Sequence, residues 1–206
     1  MKNLIINNSL NYIKKYNNYD EDKIAIIKYG LEAIYLTISK FLIISIAALV
    51  LGIFKEMVIY MLIYNILRLP SFGLHATKSW ICLLSSTTFF IGVPYLCILL
   101  KTPIIIKVVI CIIGICLMFK NSPADTYKRP IVSKKRRTVY KFLSTILTII
   151  YAFLAIFITN NFIANCLLFS IIMQNLMISP TVYKMFKLPY NNYKTYIKNH
   201  PELQFD

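Results

Sequence analysis

Charged residues, and acidic ones above all, are scarce in this chain of 206 residues. Only 15% of the residues are charged, and 8 acidic side chains accompany 23 Lys and Arg, which gives a formal net charge of +15. A soluble domain of this length would carry more charge and would spread it along the sequence. The low charge content therefore excludes an ordinary soluble protein.

Several other features are absent. The N-terminus has no signal-peptide core with a small-residue cleavage site. No Walker-type phosphate loop is present, and no carboxylate falls within an apolar run, which argues against an ion or proton pump. The five cysteines form no CxxC pair and no zinc spacing, so we expect no disulfide framework, metal site or cofactor; they are Cys82, Cys97, Cys111, Cys116 and Cys166.

The sequence does contain long apolar runs separated by short basic segments. This pattern is typical of a polytopic membrane protein. The six runs are Ile34–Phe54, Met57–Leu69, Trp80–Leu100, Pro103–Phe119, Phe142–Thr159 and Phe162–Ser179. The second is shorter than the roughly 20 residues of a straight span, so it must be completed by the residues after it or lie where the membrane is thinned or water-filled. The sequence predicts an all-α fold with about six transmembrane helices.

The distribution of basic residues predicts the orientation. Only Lys55, Lys101 and Lys107 fall on one side of the predicted spans, whereas the other side holds most of the Lys and Arg. We therefore predict a multi-pass membrane protein with both termini in the cytoplasm. The chain is predicted to be a single membrane domain over residues 1–206, made of an N-terminal segment 1–33, a six-span region 34–180 with a cytoplasmic basic loop 120–141, and a tail 181–206. Within the first segment, apolar residues among Lys and Asn predict an amphipathic helix on the membrane surface.

One short segment contains two candidate catalytic residues, because His75 precedes Cys82 by seven positions. On a straight helix the two would lie about 10.5 Å apart along the axis, so direct contact requires His75 to lie outside the regular helix. Pro70 and Gly73 allow the chain to break there. An imidazole beside a thiol is the minimal cysteine nucleophile. On these residues alone the alternative stays open that His75 is an interfacial group and Cys82 a packing residue.

The motif Arg68-x-x-x-Phe72-Gly73-x-His75-Ala76, followed by Cys82, resembles the signature of the accessory gene regulator B (AgrB) family. The segment "PADTYKRPI", Pro123–Ile131, resembles that family's second shared segment. Phe72 departs from the pattern, because many members carry the first glycine of a Gly-Gly pair there. The resemblance covers nearly the whole chain.

The resemblance implies a membrane cysteine endopeptidase of bacterial quorum sensing, with Cys82 as nucleophile, His75 as general base, and Arg68 and Gly73 as supporting motif positions. Its implied substrate is a small AgrD-like precursor peptide. The enzyme removes the C-terminal part of that peptide and cyclises the remainder, through an acyl-enzyme thioester, to a thiolactone or lactone signal. The family also suggests a homodimer. A non-enzymatic polytopic protein, such as a small permease or a component of a peptide exporter, is the alternative, although transport does not require the Arg68–Cys82 cluster.

The basic residues Lys134, Lys135, Arg136 and Arg137 have two interpretations. They hold an acidic segment of the peptide close to Cys82, or they only fix the topology and contact anionic membrane lipid. A nucleic-acid partner is not expected, because the positive charge is confined to short segments beside the spans. Asp125 could orient His75 or pair with the basic loop, and we expect Ser85 and Ser86 to pack rather than to stabilise an oxyanion.

Overall fold

The structure is a computed structural model that describes residues 2–16, 19–74, 79–125 and 130–199. Within these ranges the regular secondary structure is helical. The elements are α1 (Lys2–Tyr16), α2 (Glu21–Val50), α3 (Phe54–Ser71), α4 (Ser79–Thr87), a π-helical turn (Thr88–Gly92), α5 (Val93–Leu99), α6 (Ile104–Asn121), α7 (Lys134–Phe157), α8 (Asn161–Ile178), α9 (Pro180–Met185) and α10 (Asn192–Asn199). The predicted all-α class is confirmed.

The chain divides into two compact units, Met1–Gly52 and Ile53–Asp206. In the first unit, α1 packs against α2. Helix α2 begins well before the apolar run that predicted it, because Asp20 caps its N-terminus by accepting a hydrogen bond from the Lys23 backbone N–H at 3.3 Å. The N-terminal helix is confirmed, and its location on the membrane surface stays a prediction.

Among the residues that the structure describes, five helical segments are long and apolar enough to cross a membrane. They are Glu21–Val50, Trp80–Leu99, Ile104–Asn121, Lys134–Phe157 and Asn161–Ile178. The predicted second span falls within α3, which is not among these five segments and whose 18 residues include Lys55, Glu56 and Arg68. The chain is thus a multi-pass membrane protein with five such segments, and a crossing by α3 stays a prediction.

Helix α8 forms the centre of the second unit. Of its apolar window 56% is buried, compared with 17% to 33% for the other four candidate spans. Helices α3, α5, α6 and α7 all pack against it. Gly114 of α6 permits a close approach to α8, since a Cβ at that position would collide with the Cγ2 atom of Ile171.

Buried polar side chains fix the connections between these helices. Asn165 of α8 donates to the backbone carbonyls of Cys97 at 3.1 Å and Leu100 at 2.6 Å, and it accepts from the Thr102 hydroxyl at 2.9 Å. The amide therefore satisfies the backbone where α5 ends and the chain turns toward α6. Unsatisfied carbonyls at such a position would be costly in an apolar environment.

Candidate active site

Helix α3 ends within the predicted break at Pro70–Gly73. Pro70 itself is still helical and buried, and the helix ends at Ser71. Phe72 then adopts φ 58° and ψ −129°, and Gly73 has φ +115°. The predicted break is confirmed, and it falls at Phe72–Gly73 rather than at the proline. The proline ring removes one backbone donor, but the positive φ values are what turn the chain.

Gly73 lies close to the end of α8. Its backbone N–H donates to the Ala124 carbonyl at 3.0 Å. A Cβ on Gly73 would lie 3.0 Å from the carbonyl oxygen of Met177, at a φ that L-residues rarely adopt. The structure therefore gives a physical reason for glycine at this motif position.

The two segments that the sequence analysis singled out are in direct contact. Ala124, in the second segment, donates its N–H to the Ser71 carbonyl at 3.1 Å, and Phe72 and Ala124 form a parallel bridge. On the other side, the Leu74 N–H donates to the Met177 carbonyl at 2.9 Å. The strap Ser71–Leu74 is thus held between residue 124 and the end of α8. This contact was not predicted.

A buried amide of α8 supports the same strap. Gln174 is 0% exposed, and its Nε2 donates to the Phe72 carbonyl at 2.7 Å. The Phe72 ring packs edge-on against Tyr140 of α7, with ring centroids 5.1 Å apart. Phe72, which departs from the family pattern, is therefore accommodated by α7 and α8 together.

Arg68 binds the far end of the strap. One guanidinium nitrogen donates to the Tyr64 hydroxyl at 2.8 Å, and the other donates to the Leu74 carbonyl at 3.0 Å. Leu74 directly precedes His75 in the sequence. Arg68 therefore has a defined structural task at its motif position, which is to hold the backbone at residue 74.

Cys82 lies on α4, the first helix after the strap, and is partly buried. The carbonyl of Cys82 accepts a hydrogen bond from the Ser85 hydroxyl at 3.2 Å. His75 lies outside the described residues, so the contact between His75 and Cys82 stays a prediction. Of the other thiols, Cys97, Cys111 and Cys166 are buried and Cys116 is exposed.

An aromatic cluster joins α3 to the span that carries Cys82. Tyr60 and Tyr64 of α3 pack against Phe89 and Phe90 of the π-helical turn, with ring centroids between 4.6 Å and 6.2 Å apart. This cluster was not predicted from the sequence. The available signal was the spacing Tyr60, Tyr64 and Arg68, which repeats every four residues and so lies on one helical face.

Asp125 is buried at 1% exposure beneath the C-terminal part of the chain. Its Oδ2 accepts the Tyr193 N–H at 2.7 Å at the start of α10, and its backbone carbonyl accepts the Tyr183 hydroxyl at 3.1 Å. Burial raises the pKa of the Asp125 carboxyl, although the Tyr193 N–H and the Arg137 guanidinium oppose that shift. Asp125 thus caps α10 and pairs with Arg137 of the basic segment at 3.9 Å, which was one of its two expected roles; the other, orienting His75, falls outside the described residues.

The four predicted substrate-binding residues lie on the first turn of α7 rather than in a loop. Ser133 caps that turn by accepting the Arg136 N–H at 3.4 Å. Lys134, Lys135 and Arg136 are exposed. Arg137 points inward, where its guanidinium lies 3.5 Å from the Tyr193 ring centroid and 3.9 Å from Asp125 Oδ2.

Comparison with known proteins decides the family. The family model described as accessory gene regulator B matches residues 6–178. The chain belongs to the accessory gene regulator B family. A Listeria innocua protein described as AgrB-like is 35% identical over 86% of this chain and 87% of its own length. A Clostridium acetobutylicum protein with the same description is 29% identical over 81% of this chain and 80% of its own length.

A more distant relative carries the family's full name. The accessory gene regulator protein B of Staphylococcus epidermidis is 25% identical over 82% of this chain and 86% of its own length. No solved structure matches the chain. As a multi-pass AgrB family member, the protein has a role in accessory-gene-regulator quorum sensing, in the processing of its peptide.

Proposed function

We propose that this protein is a membrane cysteine endopeptidase and cyclase that converts a small precursor peptide into a cyclic quorum-sensing signal. Cys82 is the nucleophile and His75 the general base, with Arg68 and Gly73 as supporting residues. The observation that carries the proposal is the strap Ser71–Leu74, whose backbone is bound by α3, by residue 124 and by α8. Such fixation of the chain entering His75 is what a positioned base requires.

The proposed first step cuts the precursor. The His75 imidazole takes the proton of the Cys82 thiol, and the sulfur attacks the carbonyl carbon of the scissile peptide bond. The C–N bond then breaks, and the imidazolium proton goes to the leaving amine. The C-terminal part of the peptide departs, and the N-terminal part remains on the Cys82 sulfur as a thioester.

The second step closes the ring. A side-chain thiol within the bound peptide gives its proton to His75 and attacks the thioester carbonyl. The bond to the Cys82 sulfur breaks, and that sulfur takes the proton back from His75. The product is a thiolactone, and a hydroxyl in place of the peptide thiol gives a lactone. No oxidant or nucleotide is needed, because one thioester is exchanged for another.

Cyclisation must compete with hydrolysis of the thioester. Holding the internal thiol near the thioester can contribute roughly 7 to 11 kcal/mol through proximity, provided that water is scarce. Cys82 is only partly exposed, and it lies near the start of the apolar segment Trp80–Leu99. This environment supports the cyclase proposal over simple proteolysis.

The exposed basic turn of α7 supports an acidic segment in the substrate. Cations at a helix N-terminus are unfavourable, because the helix dipole places positive charge there. Lys134, Lys135 and Arg136 thus form an exposed positive surface that an anionic peptide segment would stabilise. Arg137 is not part of this proposed surface, because it contacts Tyr193 and Asp125.

The remaining parts of the proposal concern topology and assembly. Both termini lie in the cytoplasm, which the distribution of Lys and Arg supports. The protein functions as a homodimer, which rests on the family resemblance. Membrane lipid surrounds the apolar helices and contacts the basic residues at their ends.

Co-expression with the precursor peptide, followed by mass spectrometry of the cell extract, tests the activity. We predict that Cys82→Ala abolishes the cleaved and cyclised products without lowering the amount of protein in the membrane. Cys116→Ala is the matched control, because it removes an exposed thiol from another span and should leave both products at the wild-type level. Retained cleavage in Cys82→Ala would favour the non-enzymatic alternative.

A further inference from the structure

Tyr64 connects two parts of the proposed site that are distant in sequence. It is buried on α3, one turn before Arg68, at 3% exposure. Its hydroxyl accepts one guanidinium N–H of Arg68 at 2.8 Å, while the other side of the same guanidinium donates to the Leu74 carbonyl at 3.0 Å. The guanidinium therefore bridges the Tyr64 hydroxyl and the backbone that leads into His75.

The ring of Tyr64 is fixed by the span that carries Cys82. Its centroid lies 4.6 Å from that of Phe89 and 5.9 Å from that of Phe90. Both phenylalanines belong to the π-helical turn within Trp80–Leu99, the same apolar segment as Cys82. Such a turn widens the helix locally, and such turns are frequent near functional sites. Tyr64 thus contacts the Cys82 span through its ring and Arg68 through its hydroxyl.

We propose that Tyr64 is a positioning residue of the peptidase, acting through Arg68 to hold the Leu74 backbone in register with the span of Cys82. A guanidinium is planar and presents its N–H groups in a rigid fork, so fixing one side of the fork orients the other. The hydrogen bond is charge-assisted and partly buried, which makes it stronger than a neutral pair. This inference rests on the proposed function, since it assigns a role in aligning His75 with Cys82.

The chain supplies a matched control one turn earlier on the same helix. Tyr60 is 0% exposed and packs against the same two phenylalanines. Its hydroxyl has no hydrogen-bond partner among the residues that the structure describes. Tyr60→Phe and Tyr64→Phe each remove one buried oxygen from a tyrosine in the same aromatic cluster. Only the second substitution removes the acceptor of Arg68.

The test measures the reactivity of the Cys82 thiol, so it needs no precursor. The full-length protein, with Cys97, Cys111, Cys116 and Cys166 replaced by alanine, is alkylated with iodoacetamide at neutral pH. Alkylation consumes the thiolate, which a nearby imidazolium favours. We expect Tyr64→Phe to slow alkylation about tenfold, the effect of losing one hydrogen bond to a charged group. Tyr60→Phe should react at the rate of the parent protein.

His75→Gln separates failure of this inference from failure of the proposed function. If His75→Gln reacts as fast as the parent protein, the pairing of His75 with Cys82 is wrong, and the proposed function falls with it. If His75→Gln is slow while Tyr64→Phe and Tyr60→Phe react alike, the proposed function stands and the role of Tyr64 is overturned. Thermal unfolding of each variant checks that the tyrosine substitutions leave the fold intact.

Arg68→Lys provides a second variant and a double-mutant cycle. Lysine keeps the positive charge, but its ammonium cannot reproduce the planar fork that reaches two acceptors. If Tyr64 acts through Arg68, Tyr64→Phe should add little to the slowing that Arg68→Lys already causes. Full additivity of the two effects would show that Tyr64 acts by another route and would overturn the proposal.

Discussion

At the scale of single residues, Gly73 combines two constraints that no other residue type meets together. Its φ of +115° is strained for any residue with a side chain, and a Cβ there would lie only 3.0 Å from the Met177 carbonyl oxygen. Both constraints arise from tertiary contacts with α8. The sequence identified Gly73 as a motif position, but the reason for the glycine appears only when α8 is in place.

Gly73→Ala should therefore impair the protein through its backbone. Strain at a positive φ costs about 1 to 3 kcal/mol, and the contact with Met177 adds to it. We expect a lower unfolding temperature and a loss of precursor cleavage of tenfold or more. The control is Gly30→Ala in α2, where a Cβ meets no atom within 4 Å and alanine favours the helix. Equal behaviour of the two variants would contradict the constraint on Gly73.

At the scale of helices, the four basic residues on the first turn of α7 lie in two different environments. They are adjacent in sequence and were therefore predicted to act as one cluster, which comprised Lys134, Lys135, Arg136 and Arg137. Helical geometry separates them, because four consecutive residues on a helix point in different directions. Arg137 points toward Tyr193 and Asp125, whereas the other three remain exposed. The inward direction of Arg137 depends on α10, more than 50 residues later, and no local pattern indicates it.

Neutralising Lys134, Lys135 and Arg136 to glutamine should weaken binding of the acidic precursor and spare the chemistry on bound peptide. Exposed ion pairs contribute only about 0 to 1 kcal/mol each, so we expect roughly tenfold weaker apparent affinity from the three together. The difference should shrink as salt is added, because exposed charges are screened over about 8 Å at physiological ionic strength.

The control for this prediction is the pair Lys194→Gln and Lys198→Gln, which removes exposed charge from α10 instead. Orientation of the triple variant must be confirmed first, since lost positive charge also weakens the topological signal. An unchanged affinity at low salt in a correctly oriented triple variant would leave the turn with a purely topological role.

At the scale of the whole molecule, the sequence predicted the membrane-protein class and most of the spans, because apolar length is a local property. It did not predict the contact between Ser71–Leu74 and Ala124, because backbone groups form hydrogen bonds whatever the side chains are, so no residue pattern indicates this contact. The number of crossings depends on α3. Its apolar stretch is interrupted by Asn65 and bounded by Lys55 and Arg68, and α3 is not among the five segments long and apolar enough to cross.

Cysteine labelling from outside the cell decides between six crossings and five. In a background without native cysteines, Asn11→Cys and Asn199→Cys should both be protected from a membrane-impermeant reagent, and Thr159→Cys should react. All three positions are exposed. Reaction at position 11 combined with protection at position 199 would mean that α3 does not cross the membrane, and the predicted location of the N-terminus would then be wrong.

The strap has a consequence for the order of events during biosynthesis. Residues 71–74 leave the ribosome about a hundred residues before Gln174 and Met177, whose amide and carbonyl bind Phe72 and Leu74. A nascent chain that already contains the motif and its cysteine therefore lacks the groups that bind the strap until α8 has been translated. The proposed peptidase activity is in this way deferred until α8 has been translated, and a chain truncated before α8 would carry the complete motif without the support that positions it.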